Sequence, residues 1–586
     1  MFRFFFVKRN IYFYFVFLSA YLRTPLWLKK ITDNPLSRYT IVAILSAIII
    51  FTFLIYRTSL NGEFLNYDDT NNVSENVLIR HLSLATLPQY FTHSTLYMYT
   101  PLTFISYAID FKLWGQDPWH FKLTNLVLHL LNILLIYIIA IKLLKKQFPA
   151  FLVTILFAIQ PINADTVSWI SARSNLLATF FFLLAMIFYF NYTKKNSPGF
   201  YALSIVSFIL ATLSKNSVLM LPLILLLIDR LLQRKLNFRL IAEKIPFLVI
   251  SIIMGLIALY FRTDTGSTHS LVHYSLPDRF FMICYSILAY IVKSVIPYHL
   301  SEVYEYPAKI NGWLPILFYI SPVVLAGIII LLSRIRTIRQ GILFGVLFFF
   351  INIIITQVAQ LEDGFMANRY AYLPDFGTYF IIAVVVHHYY SNSAKLKNAL
   401  LISFIPVLII YSLMTYRRSQ VWVNTSTLFE HAVKKSPGSA FAWNNLGIAK
   451  YFKNDVDGAL SDYNKAIALN PEYAEAYYNR GLIFYDIHDY NKAMDDYTNA
   501  IGMNSNFASC FTARGILEMD VFSKDTLALM DYNKAIAINP ELAQAYYNRG
   551  ILMLRMNDQN NACKDFMIVK QLGYSRADDL IERFCR

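Results

Sequence analysis

The sequence predicts an all-α protein: a polytopic bundle of transmembrane helices followed by an α-solenoid of repeated helical hairpins. Three observations carry this prediction. Hydrophobic residues make up 56% of the chain and Asp, Glu, Lys and Arg only 15%, where a soluble chain averages roughly 25% charged. Long apolar runs fill residues 40–415. After Arg418 the composition turns polar, and a repeat of 34 or 35 residues begins.

Residues 1–39 form a basic, aromatic N-terminal segment. Arg3, Lys8, Arg9, Arg23, Lys29 and Lys30 place it in the cytoplasm by the positive-inside rule. The membrane domain, 40–418, contains eleven apolar runs read as spans, from 40–56 to 399–414. If the first run exits, loop 57–116 lies outside. The basic tracts Lys142–Lys146, Lys194–Lys195 and Arg230–Arg239 then all fall inside. The apolar segment 280–297 carries Lys293 and ends at Pro297. A full crossing there would carry the tract Arg334–Arg339 outside, so this segment is read as non-crossing. That parity sends the C-terminal region outside. It also accounts for much of the net charge of +15 as topology information. Nucleic acid is not an expected partner, because no basic stripe comes with an aromatic platform. Cys284, Cys510, Cys563 and Cys585 form no CxxC pattern, so neither a metal site nor a disulfide framework follows from them.

Residues 419–439 read as a linker, 440–575 as four repeats and 576–586 as a tail. Gly447, Gly481, Gly515 and Gly550 stand 34, 34 and 35 residues apart. Ala459, Ala493, Ala528 and Ala562 follow, then Tyr463, Tyr497, Tyr532 and Phe566, and Pro471 and Pro540 close two units. This is the tetratricopeptide pattern. Its small residues let two helices approach, and its aromatics fill the space between them. The sixth position of each first helix reads Asn445, Asn479, Ala513 and Asn548. Such a ladder on a concave solenoid face can hold an extended peptide backbone, since each amide both donates and accepts. It resembles the Asn ladder in the repeats of the nucleocytoplasmic O-linked N-acetylglucosamine transferase. A duplicated surface Asn with no ligand is the plainer reading.

Chemistry is expected in the outside loops. Asp68 and Asp69 stand together in loop 57–116. One can take a proton from an acceptor hydroxyl as general base, while the other raises its pKa, orients it or helps hold a divalent cation. A solvated pair capping a turn is the alternative. Asp165 and Arg173, Lys215, Arg262, and Glu362, Asp363, Arg369 and Asp375 lie on the same expected face. Ionisable groups so close to a bilayer are costly, and cations there suit a phosphate. Taken singly, each also fits an interfacial anchor.

At these residues the sequence resembles the transmembrane and tetratricopeptide-repeat-containing O-mannosyltransferases and their bacterial relatives, which have the GT-C glycosyltransferase fold. The likeness runs through NYDDTNNVSEN, 66–76, and TPLTFISYAIDFKLWG, 100–115. It continues through DPWHFKLTNLVLHLLN, 117–132, with His120, Asn125 and His129, and QPINADTVSWISARSNLLA, 160–178. SKNSVLMLPLILLLIDRLL, 214–232, and RYAYLP, 369–374, complete it before the repeats. Thr100, Gln160, Asn216 and Asn368 replace Arg, His, Glu and Glu of the family pattern. His129 falls inside a span, where packing against a neighbouring helix is the expected role.

The resemblance implies a membrane glycosyltransferase that moves a sugar, expected to be mannose, from a polyprenyl-phosphate donor to Ser or Thr hydroxyls of extracytoplasmic proteins, with inversion. Asp68 and then Asp69 are the expected bases, Arg173, Lys215, Arg369 and Arg262 the donor-phosphate ligands, and Asn445, Asn479 and Asn548 the acceptor ligands. No glycine-rich phosphate loop is visible, which favours a lipid donor. A bacterial plasma membrane is the expected location, or the endoplasmic reticulum in a eukaryote. The alternative is a non-catalytic membrane-anchored scaffold whose repeats bind proteins, and the lost charges favour it. A secondary transporter would show two related membrane halves, which this chain lacks.

Overall fold

The computed structural model describes residues 35–92, 98–263, 274–335, 338–360, 365–392 and 394–585. The basic residues from Arg3 to Lys30, and Glu362 and Asp363, lie outside the described residues. Among those described, the chain is helical, with one isolated extended pairing between Ile310 and Trp313. It divides into two compact units, Met1–Leu300 with Tyr306–Val423, and Ser301–Glu305 with Asn424–Arg586.

The first unit is built from long apolar helices whose ends are marked by local chemistry. Helix Pro118–Leu144 starts where the Asp117 side chain accepts from Trp119 N and Pro118 occupies the first turn. It stops at Lys145 in the left-handed region. Five described helices are long and apolar enough to cross a membrane: Arg38–Asn61, Pro118–Leu144, Ile170–Lys195, Phe238–Phe261 and Arg339–Val358. A sixth follows if Gln147–Ile159 and Pro161–Ser168, bent by 47°, form one span. Pro161 accounts for the bend, since it supplies no N–H to the helix. Pro198–Ser214 and Ile316–Leu332 are apolar but shorter. Five or six helices among the described residues meet this test of length and composition, and several of the eleven apolar runs fall on shorter or broken helices. The run read as 217–229, for example, is split into Asn216–Val218 and the short helix Leu221–Leu231. Leu276–Val295 is one continuous helix and carries Asp278, Arg279 and Lys293. At one crossing, a Cβ on Gly377 would meet the Gly345 carbonyl at 2.5 Å, a small-residue contact typical of packed membrane helices.

The second unit opens with helix Thr425–Lys435, started by a capping box between Asn424 and Thr427. The region expected as a linker is therefore helical itself. His431 Nδ1 lies 3.0 Å from Glu302 in the same unit. Four helix pairs follow: Ala440–Tyr451 with Val456–Leu469, Ala474–Asp486 with Tyr490–Met503, Ala508–Asp520 with Asp525–Ile538, and Ala543–Arg555 with Gln559–Gln571. The repeat register is physical. A Cβ on Gly447, Gly481, Gly515 or Gly550 would come within 2.7, 2.8, 2.8 and 2.6 Å of Tyr463, Tyr497, Tyr532 and Phe566. Those aromatics are buried, as are the alanines preceding them. Cys563 is disulfide-bonded to Cys585, tying the last repeat to the C-terminal helix. Spacing alone had given no sign of this bond.

Candidate functional site

The site is built on the turn after the first helix. Helix Pro35–Tyr56 passes into the 3-10 turn Arg57–Asn61, and Glu63 N then donates to Val423 O at 2.7 Å. The next turn carries Asp68 and Asp69, whose side chains part ways.

Asp69 is fully buried. Its Oδ2 accepts from Leu65 N at 3.0 Å, and its Oδ1 accepts from Ser171 N at 3.0 Å and Ser171 Oγ at 2.5 Å. Burial raises its pKa, and the bonds from Ser171 and Leu65 oppose that rise. The structure therefore gives Asp69 a holding role and not that of a second base: its lone pairs pin this turn onto the segment Ile170–Ala172. The pair does not fit a divalent cation either. Both Asp69 oxygens are committed, and no group of three His, Cys, Asp or Glu converges among the described residues.

Asp68 is half-buried. Burial pushes its carboxyl up to about 6, Arg369 pulls it down, Asp69 pushes it up and Lys215 pulls it down. Lys215 is buried at the turn after helix Pro198–Ser214. Burial and then Arg369 lower its ammonium to about 7, with Asp68 offsetting part of the fall. Thr103 Oγ1 donates to Ser214 O at 3.0 Å and fixes that turn. Arg369 lies over the Trp169 ring at 5.0 Å and the Tyr370 ring at 5.1 Å. Trp169 in turn stacks on Tyr67 at 4.8 Å and on Trp422 at 5.4 Å. One carboxylate thus faces two cations against an aromatic wall, an imbalance of charge that suits an anion.

Arg173 is not in this group. Its guanidinium is fully buried, 2.6 Å from Asp110, and donates to Asn125 Oδ1 and Phe121 O at 2.8 Å each. Its face covers the Tyr107 ring at 4.5 Å. Paired with Asp110 and bonded to Asn125 and Phe121 inside the bundle, it braces helices there. Asp165 is likewise enclosed, accepting from Arg418, from Trp422 Nε1 at 2.9 Å and from Asn368 Nδ2 at 2.8 Å. The side chain of Arg262, in the last turn of helix Ile245–Thr263, lies outside the described residues. Asp375 accepts from Ser294 Oγ at 2.5 Å and Tyr379 Oη at 3.1 Å, which makes it a helix-packing group. His129 packs as expected, 2.7 Å from Tyr372 Oη.

Two of the four positions that depart from the resembled pattern are held by hydrogen bonds: Gln160 Nε2 donates to Ser294 O at 2.6 Å, and Asn368 Nδ2 donates to Asp165. No donor among the described residues reaches the buried Oδ1 of Asn216, next to Lys215.

In the repeats, the Asn ladder is less open than its spacing suggests. Asn445 is buried and donates to Phe441 O at 2.9 Å. Asn479 Nδ2 donates to Asn444 Oδ1 at 3.0 Å, and Asn548 Nδ2 to Gln544 O at 2.9 Å. Their amides serve the solenoid first. Sequence reasoning missed the aromatic wall of Tyr67, Trp169 and Trp422, which comes from three distant segments with no shared spacing.

With this geometry in place, the likenesses to known proteins become informative. Residues 99–261 match the family described as dolichyl-phosphate-mannose-protein mannosyltransferase. Residues 449–488 and 524–557 match TPR repeat, and 474–507 match tetratricopeptide repeat. A protein O-mannosyl-transferase of Caenorhabditis elegans is 25% identical over 67% of this chain and 58% of its own length. The human protein O-mannosyl-transferase TMTC3 is 23% identical over 63% of this chain and 44% of its own. The chain spans about half the length of these curated relatives. Among solved structures, MamA matches 26% of this chain and 88% of its own at 23% identity, with a TM-score of 0.23. The chain thus joins a segment that matches a mannosyltransferase family to tetratricopeptide repeats, and along about two thirds of its length it is similar to protein O-mannosyl-transferases.

Proposed function

We propose that this protein is an integral-membrane glycosyltransferase of GT-C type that transfers mannose from a polyprenyl-phosphate donor to Ser or Thr hydroxyls of proteins. The observation that carries this reading is the half-buried Asp68 facing Lys215 and Arg369. The acceptor Oγ–H gives its proton to an Asp68 oxygen as the oxygen bonds to the anomeric carbon. The bond from that carbon to the phosphate oxygen breaks, and the polyprenyl phosphate leaves with the electron pair. Attack opposite the leaving group inverts the anomeric centre. Lys215 and Arg369 neutralise the charge that grows on the phosphate, the contribution that fixed cations make best in a water-poor site. A base with its pKa near 6 is matched to this task at neutral pH.

The repeats are the acceptor-binding element of this scheme. Asn479 and Asn548 stay half-exposed on the first helices, and each retains its Oδ1 side for a peptide N–H. The Cys563–Cys585 bond supports an oxidising, extracytoplasmic setting for the repeats, because cytosolic thiols are kept reduced. That agrees with the parity of the basic tracts and with a bacterial plasma membrane, or the endoplasmic reticulum in a eukaryote.

The second reading, a scaffold that captures proteins without sugar transfer, draws on the enclosure of Arg173 and the neutral side chains at Gln160, Asn216 and Asn368. One experiment separates the two. Full-length protein in nanodiscs is given polyprenyl-phosphate mannose and a Ser/Thr-rich protein acceptor, and the acceptor is examined by mass spectrometry. A hexose added to the acceptor, absent with Arg369→Gln, is the expected result. Acceptor binding without any hexose addition would leave the scaffold.

A further inference from the structure

Asp165, on the short helix Ala164–Ser168, is 4% exposed. Its Oδ1 accepts from Arg418 Nε and Trp422 Nε1 at 2.9 Å each. Its Oδ2 accepts from Arg418 Nη2 at 3.1 Å and Asn368 Nδ2 at 2.8 Å. The arginine fork fixes the plane of the carboxylate, so the two remaining bonds have a fixed point to hang from. The resembled pattern carries Glu at position 368. Beside Asp165 a Glu could only accept and would repel, and Asn368 donates instead.

Both of those bonds lead to Arg369. Asn368 precedes it in the 3-10 turn Asn368–Ala371, so the bond from Asn368 holds the backbone at the root of the side chain. The other end, the guanidinium, lies 5.0 Å over the Trp169 ring. Trp169 stacks on Trp422 at 5.4 Å, and Trp422 is itself 1% exposed and tied to Asp165. Tyr67, the neighbour of Asp68, stacks on the same Trp169 ring at 4.8 Å. The base and the cation are therefore referred to one ring, and that ring to one carboxylate. Close packing gives such a chain of contacts little room to shift.

Resting on the proposed transfer reaction, we infer that Asp165 is a positioning residue of the site. With both oxygens already occupied it touches no substrate. It sets Arg369 against Asp68, holding the turn at the root of that arginine through Asn368 and the ring under its guanidinium through Trp422.

The test cuts these two holds without adding or removing a charge. Full-length protein in nanodiscs is assayed for transfer from polyprenyl-phosphate mannose across a range of pH, and titrated with the bare polyprenyl phosphate. Asn368→Leu should lower kcat/KM by about 10-fold, as a displaced group does, and weaken binding of the bare lipid. Arg369 pulls down both the Asp68 carboxyl and the Lys215 ammonium. An Arg369 that has moved away lets both rise, so the acid and alkaline limbs of kcat/KM should both move to higher pH. A bond that mattered only for folding would change the yield and leave the limbs in place. Trp422→Phe keeps a ring and loses the Nε1–H. It should move the limbs the same way and serves if Asn368→Leu fails to fold. Asp165→Leu with Arg418→Leu removes the acceptor without leaving a buried charge. It should show the same shift, and adding Asn368→Leu should move it no further, since both act through one link. Unmoved limbs in the folded single variants would overturn the inference, as would a shift from Asn368→Leu that persists in full without Asp165. Failure of the transfer reading is a separate result: wild type that binds the bare lipid but passes no hexose to acceptor, with positioning still visible as weaker lipid binding in Asn368→Leu.

Discussion

Arginine–aspartate pairs brace both units of this protein, but they are organised differently. In the repeats the pair recurs in register: Arg480–Asp496, Arg514–Asp531 and Arg549–Asp565, each at 2.7 Å, join the first helix of a repeat to its second. Arg480 and Arg549 also reach back to Asn464 and Asn533 of the preceding repeat, at 2.6 Å each. In the membrane unit each pair occurs once. Arg173–Asp110 at 2.6 Å and Arg418–Asp165 at 2.9 Å join segments far apart in sequence. A buried charge whose bonds are complete is scaffolding in either unit. The informative group is the one left out of balance, which in the membrane unit is Asp68 with Lys215 and Arg369.

The strongest way to break this distinction is to remove a completed pair. Arg173→Leu should leave Asp110 buried and unpaired and cost about 3–5 kcal/mol of stability, seen as a collapse of the thermal midpoint and of folded yield in detergent. A stable Arg173→Leu protein that had lost only donor affinity would return Arg173 to the phosphate site. Asp68→Asn should do the opposite. It keeps the shape, leaves the thermal midpoint near wild type and lowers transfer about 100-fold or more. Wild-type turnover by that variant would remove Asp68 as the base.

These two variants also show what could be read from sequence. The repeats were legible because a 34-residue period repeats the same Gly–aromatic contact four times, and each copy confirms the others. Asp68, Lys215 and Arg369 were legible as charges next to apolar runs. Sequence could not rank them against Arg173 and Asp69, because ranking depends on partners supplied from afar: Asp110 and Asn125 for Arg173, Leu65 and Ser171 for Asp69.

A pH profile sharpens the comparison within the site. Asp68 must be ionised to act as a base, so kcat/KM should rise as pH passes about 6. Lys215 must be protonated to hold the phosphate, so it should fall above about 7. The result is a narrow bell whose limbs belong to the interacting pair, with a loss of about 10-fold one unit beyond either limb. Lys215→Arg, which keeps its charge at any working pH, should abolish the alkaline fall and retain the acid limb. An alkaline limb that persists in Lys215→Arg would assign it to another group.

The smallest expected effect tests whether imbalance alone marks chemistry. Glu518 occupies the position that the other repeats fill with Lys450, Phe484 and Met553. It is buried beside Asp531, and no donor among the described residues reaches its Oε2. Burial and then Asp531 raise its carboxyl to about 7, against the opposing pull of Arg514 and Lys524. The raised value resembles that of Asp68, but the setting differs, because Arg514 is already committed to Asp531. The prediction is therefore one of stability and not of catalysis. Folding holds this proton more tightly than the unfolded chain does, so the associated stabilisation is complete below the ordinary value of 4.5 and is lost as pH rises through about 7. Glu518→Gln keeps the group neutral throughout. It should flatten the decline in repeat stability between about pH 5 and about pH 8 and raise the thermal midpoint at the upper end by about 2 °C, with transfer unchanged. Hydrogen exchange of the amides in Ala508–Asp520 would follow the change. An undiminished decline in Glu518→Gln would assign the pH dependence of the repeats to other groups, and a loss of transfer would show that this acid, too, takes part in the chemistry.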